Sequence, residues 1–177
     1  MSTDKAIEEF LDRVLELKTG WLDGPWDEEP DRVEWREHGL VCLISRSEVT
    51  GALCGYVGVP REHLHYGKGW DDVNVDVHGG LTYASPCSGH ICHVPKPGET
   101  EDVWWFGFDC AHAFDLMPAL KTALQYATMG LPEMKDPYPS VGGDPYCDTY
   151  RDLAYVTAEV SRLAAQLARI QRVKQMR

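Results

Sequence analysis

The clearest pattern in this chain is an apolar row near its C-terminal end that repeats with the period of an α-helix. From Thr149 onward the row consists of Leu153, Val156, Val160, Leu163, Leu167 and Ile170. Side chains spaced by three and four residues lie on one face of a helix, and a sheet or another helix must cover that face. We therefore predict a long C-terminal helix. Its apolar face either forms a homodimer or covers the protein's own sheet.

The middle of the chain alternates apolar and polar residues, which is the period of a β-strand. In residues 103–109, Trp104, Phe106 and Phe108 fall on one face. In residues 72–78, three valines alternate with aspartate, asparagine and histidine. Both stretches end in small or polar residues. The sequence therefore predicts two strands that deliver polar side chains to a common site.

Further strands and helices complete the predicted fold. Turn signals such as His38-Gly39 separate three more strands, and glycine or proline bounds two more helices. These strands are predicted at residues 32–37, 40–46 and 52–59, and the helices at residues 4–18 and 118–128. Strands clustered between helices are typical of an α+β fold. We therefore expect a single domain, residues 1–177, with a central, mostly antiparallel sheet, an N-terminal helix and a long C-terminal helix.

Charge and leader signals narrow the partners and the compartment. The 177-residue chain has a formal net charge of −11, so it lacks the cationic surface that nucleic-acid polymers and anionic membranes require. A small anionic ligand in a local cationic pocket is compatible with this charge. The sequence opens with no apolar leader, and no apolar run approaches the roughly 20 residues of a membrane span. We expect a cytoplasmic protein that binds a small molecule and neither a nucleic-acid polymer nor a membrane.

The cysteines allow three interpretations. Without a leader, we expect a reducing compartment in which they are mostly buried thiols. Cys87 and Cys92, beside His93, are spaced to clasp a structural zinc ion, but the usual second pair of ligands is missing, so we expect a loop with incidental cysteines. The third interpretation makes Cys110 a catalytic nucleophile. It is disfavoured, because the only histidine downstream of Cys110 that could act as its base is His112, two residues away. The six cysteines are Cys42, Cys54, Cys87, Cys92, Cys110 and Cys147.

Acids and histidines gather at the ends of the two central strands. Asp76 and His78 are two residues apart, so they share a face of the first strand. Asp109, His112 and Asp115 follow the second strand at intervals of three. Carboxylates and neutral imidazoles suit zinc, manganese or iron, and three protein ligands leave a position for a water that can attack an ester or amide. The predicted metal ligands are His78, Asp109 and His112, and the predicted catalytic residues are these three and Asp76.

A distance tests this predicted site. If the two strands converge, the side-chain heads of His78 and Asp109 lie about 3–6 Å apart, the span of one shared ion or one bridging water. The plain structural alternative is that His-Gly-Gly forms a tight turn and that the aspartate and histidine are a satisfied hydrogen-bonded pair.

Aromatic residues near these acids suggest how a substrate binds. Trp105 and Tyr83 lie in or beside the central strands, and flat rings beside acids and histidines suit stacking on a base or a sugar. We predict that both rings and Asp115 contact the substrate, although aromatic residues on strands more often belong to the core.

Four blocks of sequence resemble a family of uncharacterised bacteriophage and prophage proteins. The blocks are C-G-Y-V-G-V-P at 54–60, V-D-V-H-G-G-L-T-Y at 75–83, W-W-F-G-F-D-C-A-H at 104–112 and Y-R-D-L-A-Y-V at 150–156. The resemblance runs through most of the chain from Cys54 onward. It implies a phage accessory protein made in the cytoplasm of an infected bacterium. It supplies no activity, so it assigns no catalytic residue.

Three functions follow as hypotheses from these observations. The first is a metal-assisted hydrolase of a small, nucleotide-like molecule, which uses the predicted ligands and a divalent ion. The second is a protein that sequesters a small molecule, such as a nucleotide signal, in the same cleft without chemistry. The third is an acidic inhibitor that grips a host protein and needs no pocket.

Overall fold

The structure is a computed structural model that describes residues 2–100, 102–129 and 149–175. Its core is a five-stranded sheet with the order β1-β2-β3-β5-β4, in which every neighbouring pair is antiparallel. The elements are α1 Thr3–Lys18, β1 Arg32–Glu37, β2 Leu40–Arg46, β3 Leu53–Pro60, β4 Tyr83–Pro86, β5 Val103–Asp109, α2 Pro118–Thr128 and α3 Leu153–Gln175. The predicted α+β fold is confirmed.

The first hairpin forms where the turn signal predicts it. His38 and Gly39, between β1 and β2, have φ angles of 53° and 79°. A two-residue turn with φ positive at both positions twists the way paired strands twist, so it sets the register of the hairpin. Trp35 accordingly pairs with Cys42 across the two strands.

Helix α3 covers one face of the sheet with the predicted apolar row. Val156, Val160, Leu163 and Leu167 are fully buried and join the large core cluster. The helix approaches β3 closely, because a Cβ atom on Gly55 would lie 2.5 Å from Cγ2 of Val160. The row is therefore used within the chain. Homodimer formation stays a prediction, and it would need another surface.

The other face of the sheet carries a smaller core, so β5 is buried on both sides. Phe106 and Phe108 face α3, whereas Val103 and Trp105 face the second cluster, to which Ile91 also belongs. Burial of each large apolar side chain in this way contributes roughly 1.5–3 kcal/mol to the stability of the fold.

The prediction of a strand at residues 72–78 is wrong. The segment follows a short 3₁₀ helix, Trp70–Asp72, and it lies outside the strands of the sheet. Side chains of α3 hold its backbone: Gln166 Oε1 accepts from the Asp76 amide at 2.8 Å and Glu159 Oε2 from the His78 amide at 2.7 Å. The valines at positions 73 and 77 are buried as the alternation indicates. The alternation therefore predicts correctly which side chains are buried, but the backbone is hydrogen-bonded by side chains of α3 and not by a neighbouring strand.

A buried cation ties the β2–β3 turn to the start of α3. The Arg46 side chain has no exposed surface, and it pairs with Asp31 at 2.5 Å and Glu29 at 3.2 Å. It also donates to the Gly51 carbonyl and the Tyr150 hydroxyl, both at 2.9 Å. Tyr150 in turn donates to Glu29. These residues form the Arg46 cluster.

Two sequence expectations concern the cysteines and the membrane. Cys87 and Cys92 form a disulfide, which corrects the expectation that they are incidental thiols, while Cys42, Cys54 and Cys110 are buried and free. Cys147 lies outside the described residues.

Within the described ranges, each helix is too short or too polar to cross a membrane.

Candidate metal centre

Three of the predicted site residues converge at one point. His78 Nε2 lies 2.7 Å from Asp115 Oδ2, and His112 Nδ1 lies 3.5 Å from the same oxygen. One ligand atom from each of the three lies within 4.8 Å of the other two. We call His78, His112 and Asp115 the Asp115 cluster. Two imidazoles and one carboxylate at this spacing can hold a single divalent ion.

A tight turn places His78 and makes room for His112. The amide of Gly80 donates to the Val77 carbonyl at 3.0 Å, and Gly79 and Gly80 have φ angles of 63° and 85°. A Cβ atom on Gly79 would lie 2.1 Å from the imidazole of His112. Glycine at position 79 therefore does two things: it adopts the left-handed backbone of the turn, and it lets the His112 ring lie against that backbone.

Asp115 is positioned by the return of the chain at Thr149. The amide of Thr149 donates to the Phe114 carbonyl at 2.8 Å, and the Leu116 amide donates to the Thr149 carbonyl at 3.0 Å. Phe114, between the two ligands His112 and Asp115, has a φ angle of 72°. A bulky residue in this region is strained by about 1–3 kcal/mol, and such strain often accompanies functional sites. These bonds hold Asp115 beneath the two imidazoles.

The Asp115 carboxylate is buried and ionised. Only 1% of its side chain is exposed, and Arg151 Nε donates to its Oδ1 at 2.9 Å. Burial opposes its ionisation, but hydrogen bonds from Arg151 and His78 outweigh the burial and hold the pKa of Asp115 below its ordinary value. The amide of His112 also donates to Oδ2 at 3.0 Å. The carboxylate is thus a fixed negative charge at the base of the cluster.

Tyr155 orients the imidazole of His78. Its hydroxyl lies 2.9 Å from His78 Nδ1, so Nε2 faces Asp115. The guanidinium of Arg151 stacks 4.8 Å from the Tyr155 ring centre and holds the ring in place. Because the ionised carboxylate can only accept, Nε2 carries the proton in the chain without an ion and donates it to Asp115. An ion at Nε2 would need the lone pair there, and the proton would then lie on Nδ1, where the Tyr155 hydroxyl can accept it. A histidine ligand with its second nitrogen hydrogen-bonded in this way is typical of metal sites.

His112 carries the least satisfied polar atom of the cluster. Its Nδ1 is buried and has no hydrogen-bond partner among the described residues. Asp109 is the next carboxylate, with Oδ1 at 4.0 Å from that nitrogen. A buried polar atom without a partner costs about 1–3 kcal/mol. An ion between Nδ1 and Asp115 Oδ2 would remove this cost.

Two of the predicted acids lie outside the cluster. Asp109 accepts bonds from the Thr82 hydroxyl at 2.7 Å and the Ala111 amide at 3.1 Å, and Asp115 instead is the carboxylate that contacts His78. Asp76 is 85% exposed and pairs with Arg162 at 3.4 Å. The spacing in the sequence did not place it beside His78, because the strand that was to align the two side chains does not form.

The predicted stacking residues lie on the other side of the sheet. Trp105 is fully buried in the smaller core, where its indole nitrogen donates to Cys87 Sγ at 3.4 Å. Tyr83 packs edge-on against Tyr56, with 5.3 Å between ring centres. Their assignment as substrate contacts beside His78 is therefore corrected. Burial likewise raises the pKa of the Cys110 thiol, which does not favour a nucleophile.

Sequence reasoning missed Arg151 and Tyr155, which support the cluster from the start of α3. Arg151 lies two residues before α3 and Tyr155 lies in its first turn, where the guanidinium stacks on the Tyr155 ring. The one available signal was that both belong to the 150–156 block, which lies far in the sequence from His78 and Asp115. The chain matches no protein-family model, no curated protein and no solved structure. The resemblance to bacteriophage proteins accordingly stays a prediction.

Proposed function

We propose that this protein is a metal-dependent hydrolase of a small anionic molecule, with His78, His112 and Asp115 holding one divalent ion. The observation that carries the proposal is the convergence of three ligand atoms within 4.8 Å. One of them, Nδ1 of His112, is buried without a hydrogen-bond partner among the described residues. A purely structural cluster would gain nothing from leaving that atom unpaired.

The ligand types indicate the ion and the chemistry. Two neutral imidazoles and one carboxylate suit zinc, manganese or iron(II). Three protein ligands leave a position for water, and a zinc ion lowers the pKa of such a water to about 7. Within the chain, Tyr155 would hold the His78 ring in the orientation for binding, and Arg151 would keep Asp115 ionised.

Arg151 points to an anionic substrate. Its bond to Asp115 uses Nε, and 27% of its side chain is exposed. The outer nitrogens of the guanidinium can therefore face a phosphate or carboxylate, which they bind in a fork. Phe114, which is 71% exposed beside Asp115, offers a ring for a base or another flat group. A phosphate ester of nucleotide-like character fits both features.

A sequestering protein is the second candidate, because Asp115 is satisfied without an ion. Arg151, His78 and the His112 amide already bond to both of its oxygens. In that case the cluster would hold an anion beside Arg151 and return it intact. Either activity would suit an accessory protein in the cytoplasm of an infected bacterium, which is the setting that the sequence resemblance implies.

Metal titration followed by turnover tests the proposal. We would strip the purified chain, with the Cys87–Cys92 disulfide intact, with a chelator and titrate it with Zn²⁺, Mn²⁺ or Fe²⁺ by calorimetry. We would then assay nitrophenyl phosphate monoesters, phosphodiesters and carboxyl esters together with nucleotides. We expect one ion to bind per chain at this cluster and hydrolysis to depend on it. His112→Ala removes the least satisfied ligand, and His38→Asn is the control, since asparagine tolerates the positive φ of that turn.

The outcomes separate the two candidates. Ion binding that survives His112→Ala unchanged, or a folded chain that binds no ion, would overturn the metal site. Reversible binding of a nucleotide without turnover, lost in an Arg151→Met variant, would replace hydrolysis with sequestration.

A further inference from the structure

A second group of metal-binding residues lies at a small hairpin on the other side of the sheet. Ser88 and Ile91 exchange two backbone hydrogen bonds, at 3.1 and 3.0 Å. In an antiparallel pair, the residues flanking such a bonded pair face each other at close range. Cys87 and Cys92 are those residues, and their Cα atoms are 4.7 Å apart. The hairpin thus fixes two sulfur atoms side by side.

His93 directs a third ligand atom at the two sulfurs. Its residue is only 2% exposed, and its Nε2 lies 3.1 Å from the Thr100 carbonyl oxygen. A carbonyl oxygen can only accept, so Nε2 carries the proton and Nδ1 carries a lone pair. Nδ1 is buried and has no hydrogen-bond partner among the described residues. Ligand atoms of Cys87, Cys92 and His93 lie within 4.8 Å of one another.

We propose that the reduced chain binds one Zn²⁺ ion through Cys87, Cys92 and His93, and that the disulfide is the oxidised counterpart of this site. A dithiol supplies two electrons and two protons, the Cys87–Cys92 bond breaks to give two thiols, and the dithiol becomes a disulfide. Zinc then displaces the two thiol protons and binds the thiolates and Nδ1. Hydrogen peroxide reverses this. The thiolates lose two electrons, the sulfurs bond to each other and zinc leaves, while the peroxide takes up the two electrons and two protons and becomes two waters.

The surroundings favour thiolates and leave a fourth position. The indole N–H of Trp105 donates to Cys87 Sγ at 3.4 Å, and a donor-only group stabilises a negatively charged sulfur. Arg32 donates to the Cys92 carbonyl at 2.6 Å and pairs with Glu34 at 3.0 Å, so it fixes the Cys92 backbone beside the site. A cavity of about 310 Å³ adjoins both cysteines and is lined also by Thr3 and Ser88. It gives zinc an entry path and room for a water as the fourth ligand.

The site also bears on how α1 is held. Phe10 stacks on His90 inside the hairpin, with 3.8 Å between ring centres, and the Thr3 hydroxyl lies 4.0 Å from Cys92 Sγ. The disulfide or the zinc ion therefore fixes the surface on which the first helix packs. Either link would restrain the hairpin, so α1 would stay docked in both redox forms.

Cobalt(II) distinguishes this site from the Asp115 cluster, because a thiolate ligand gives Co²⁺ a charge-transfer band that imidazole and carboxylate ligands do not give. We would titrate the full chain with Co²⁺ and then Zn²⁺, in the His112→Ala background that removes the other site. The phosphine-reduced chain should bind one ion with the band. The oxidised chain should show no band and bind at least about 100-fold more weakly. His93→Gln should weaken binding at least about tenfold.

X-ray absorption of the zinc-loaded, reduced chain covers the case in which His93→Gln fails to fold. Two sulfur ligands at about 2.3 Å and at least one nitrogen ligand at about 2.0–2.1 Å support the proposal. A reduced, folded chain without the charge-transfer band overturns it, as does a disulfide that resists a dithiol while the protein stays folded. Zinc bound by sulfur alone overturns the role of His93.

Discussion

Two clusters of charged residues lie at either side of the start of α3, and they differ in how completely their atoms are paired. In the Arg46 cluster the cation has no exposed surface, and it bonds two carboxylates, a carbonyl and a hydroxyl. In the Asp115 cluster the carboxylate is equally buried, but the His112 side chain is 33% exposed, and its Nδ1 has no hydrogen-bond partner among the described residues although Asp115 Oδ2 lies 3.5 Å away. A paired cluster specifies the fold, whereas an unpaired atom beside a fixed charge indicates a ligand.

Consecutive residues link these two regions. Tyr150 bonds to Arg46, and Arg151 bonds to Asp115. The dipeptide ahead of α3 therefore anchors the helix to both clusters at once. A structural cluster next to a candidate site is a sensible arrangement, because a binding site must be held within about 0.5 Å of its working geometry by rigid neighbours.

Loss of Arg46 should have the largest effect. Arg46→Met leaves the buried Glu29 carboxylate without its cation and leaves Asp31 with Lys18 as its remaining cation, at 3.0 Å, so we expect the free energy of unfolding to fall by about 3 kcal/mol. Urea unfolding followed by circular dichroism measures the loss. The matched control is Arg13→Met, because Arg13 is 52% exposed and pairs with Glu48 at the surface, at 2.6 Å. That change should cost less than about 1 kcal/mol. Equal losses in the two variants would contradict the structural role of Arg46.

At the Asp115 cluster, loss of one side chain should weaken metal binding strongly and change the stability of the fold little. His112→Ala should reduce affinity for Zn²⁺ by more than the roughly 10–100-fold that follows the loss of an outer partner, because it deletes a ligand. Its effect on the free energy of unfolding should be under about 1 kcal/mol, since the deleted imidazole is one-third exposed and its Nδ1 makes no hydrogen bond within the described part of the chain. Calorimetric titration and urea unfolding on the same preparation test both halves. A variant that loses stability but keeps its affinity would make the cluster structural.

Local sequence patterns predicted most of the fold. Strands β1 and β2 match the predicted residues 32–37 and 40–46, and the helix at Pro118–Thr128 matches as well. These elements are defined by neighbours in the sequence: alternation, a turn that tolerates positive φ, and a proline at a helix start. The strand predicted at residues 72–78 does not form. Alternating valines predict which side chains are buried, but they do not tell whether a neighbouring strand or the side chains of a helix bond the backbone.

The candidate site could be predicted only in part, because its partners are remote in sequence. His78, His112 and Asp115 stood among the predicted residues, and the structure brings these three together. The choice of Asp115 over Asp109 as the partner of His78 depends on the return of the chain at Thr149. Tyr155 meets His78 across 77 positions of the chain. Contacts of this kind are set by the packing of α3 on the sheet, which residue spacing does not encode.

Two adjacent glycines allow a matched test of the site. Both have positive φ, so Gly79→Ala and Gly80→Ala should each cost about 1–2 kcal/mol of stability. The two differ in what the new methyl group meets. At position 79 it would lie 2.1 Å from the His112 ring, and at position 80 it meets nothing within 4 Å. Gly79→Ala should therefore also weaken metal binding, whereas Gly80→Ala should not. Equal metal affinities for the two variants, measured by titration, would show that the His112 ring is not part of the site.

The smallest effect is expected from the outer partner of His78. Tyr155→Phe removes one hydroxyl, whose oxygen lies 2.9 Å from His78 Nδ1, and it keeps the ring on which Arg151 stacks. The imidazole keeps Asp115 but loses the bond that fixes its orientation, so affinity for Zn²⁺ should fall about tenfold, at the low end for an outer partner. The free energy of unfolding should fall by about 1 kcal/mol or less, the contribution of one partly buried hydrogen bond. Tyr126→Phe, at an exposed tyrosine of α2, is the control and should change neither quantity. If Tyr155→Phe matches this control in a zinc titration, the hydroxyl does not orient a ligand, and the bond to Asp115 would suffice to orient the His78 imidazole.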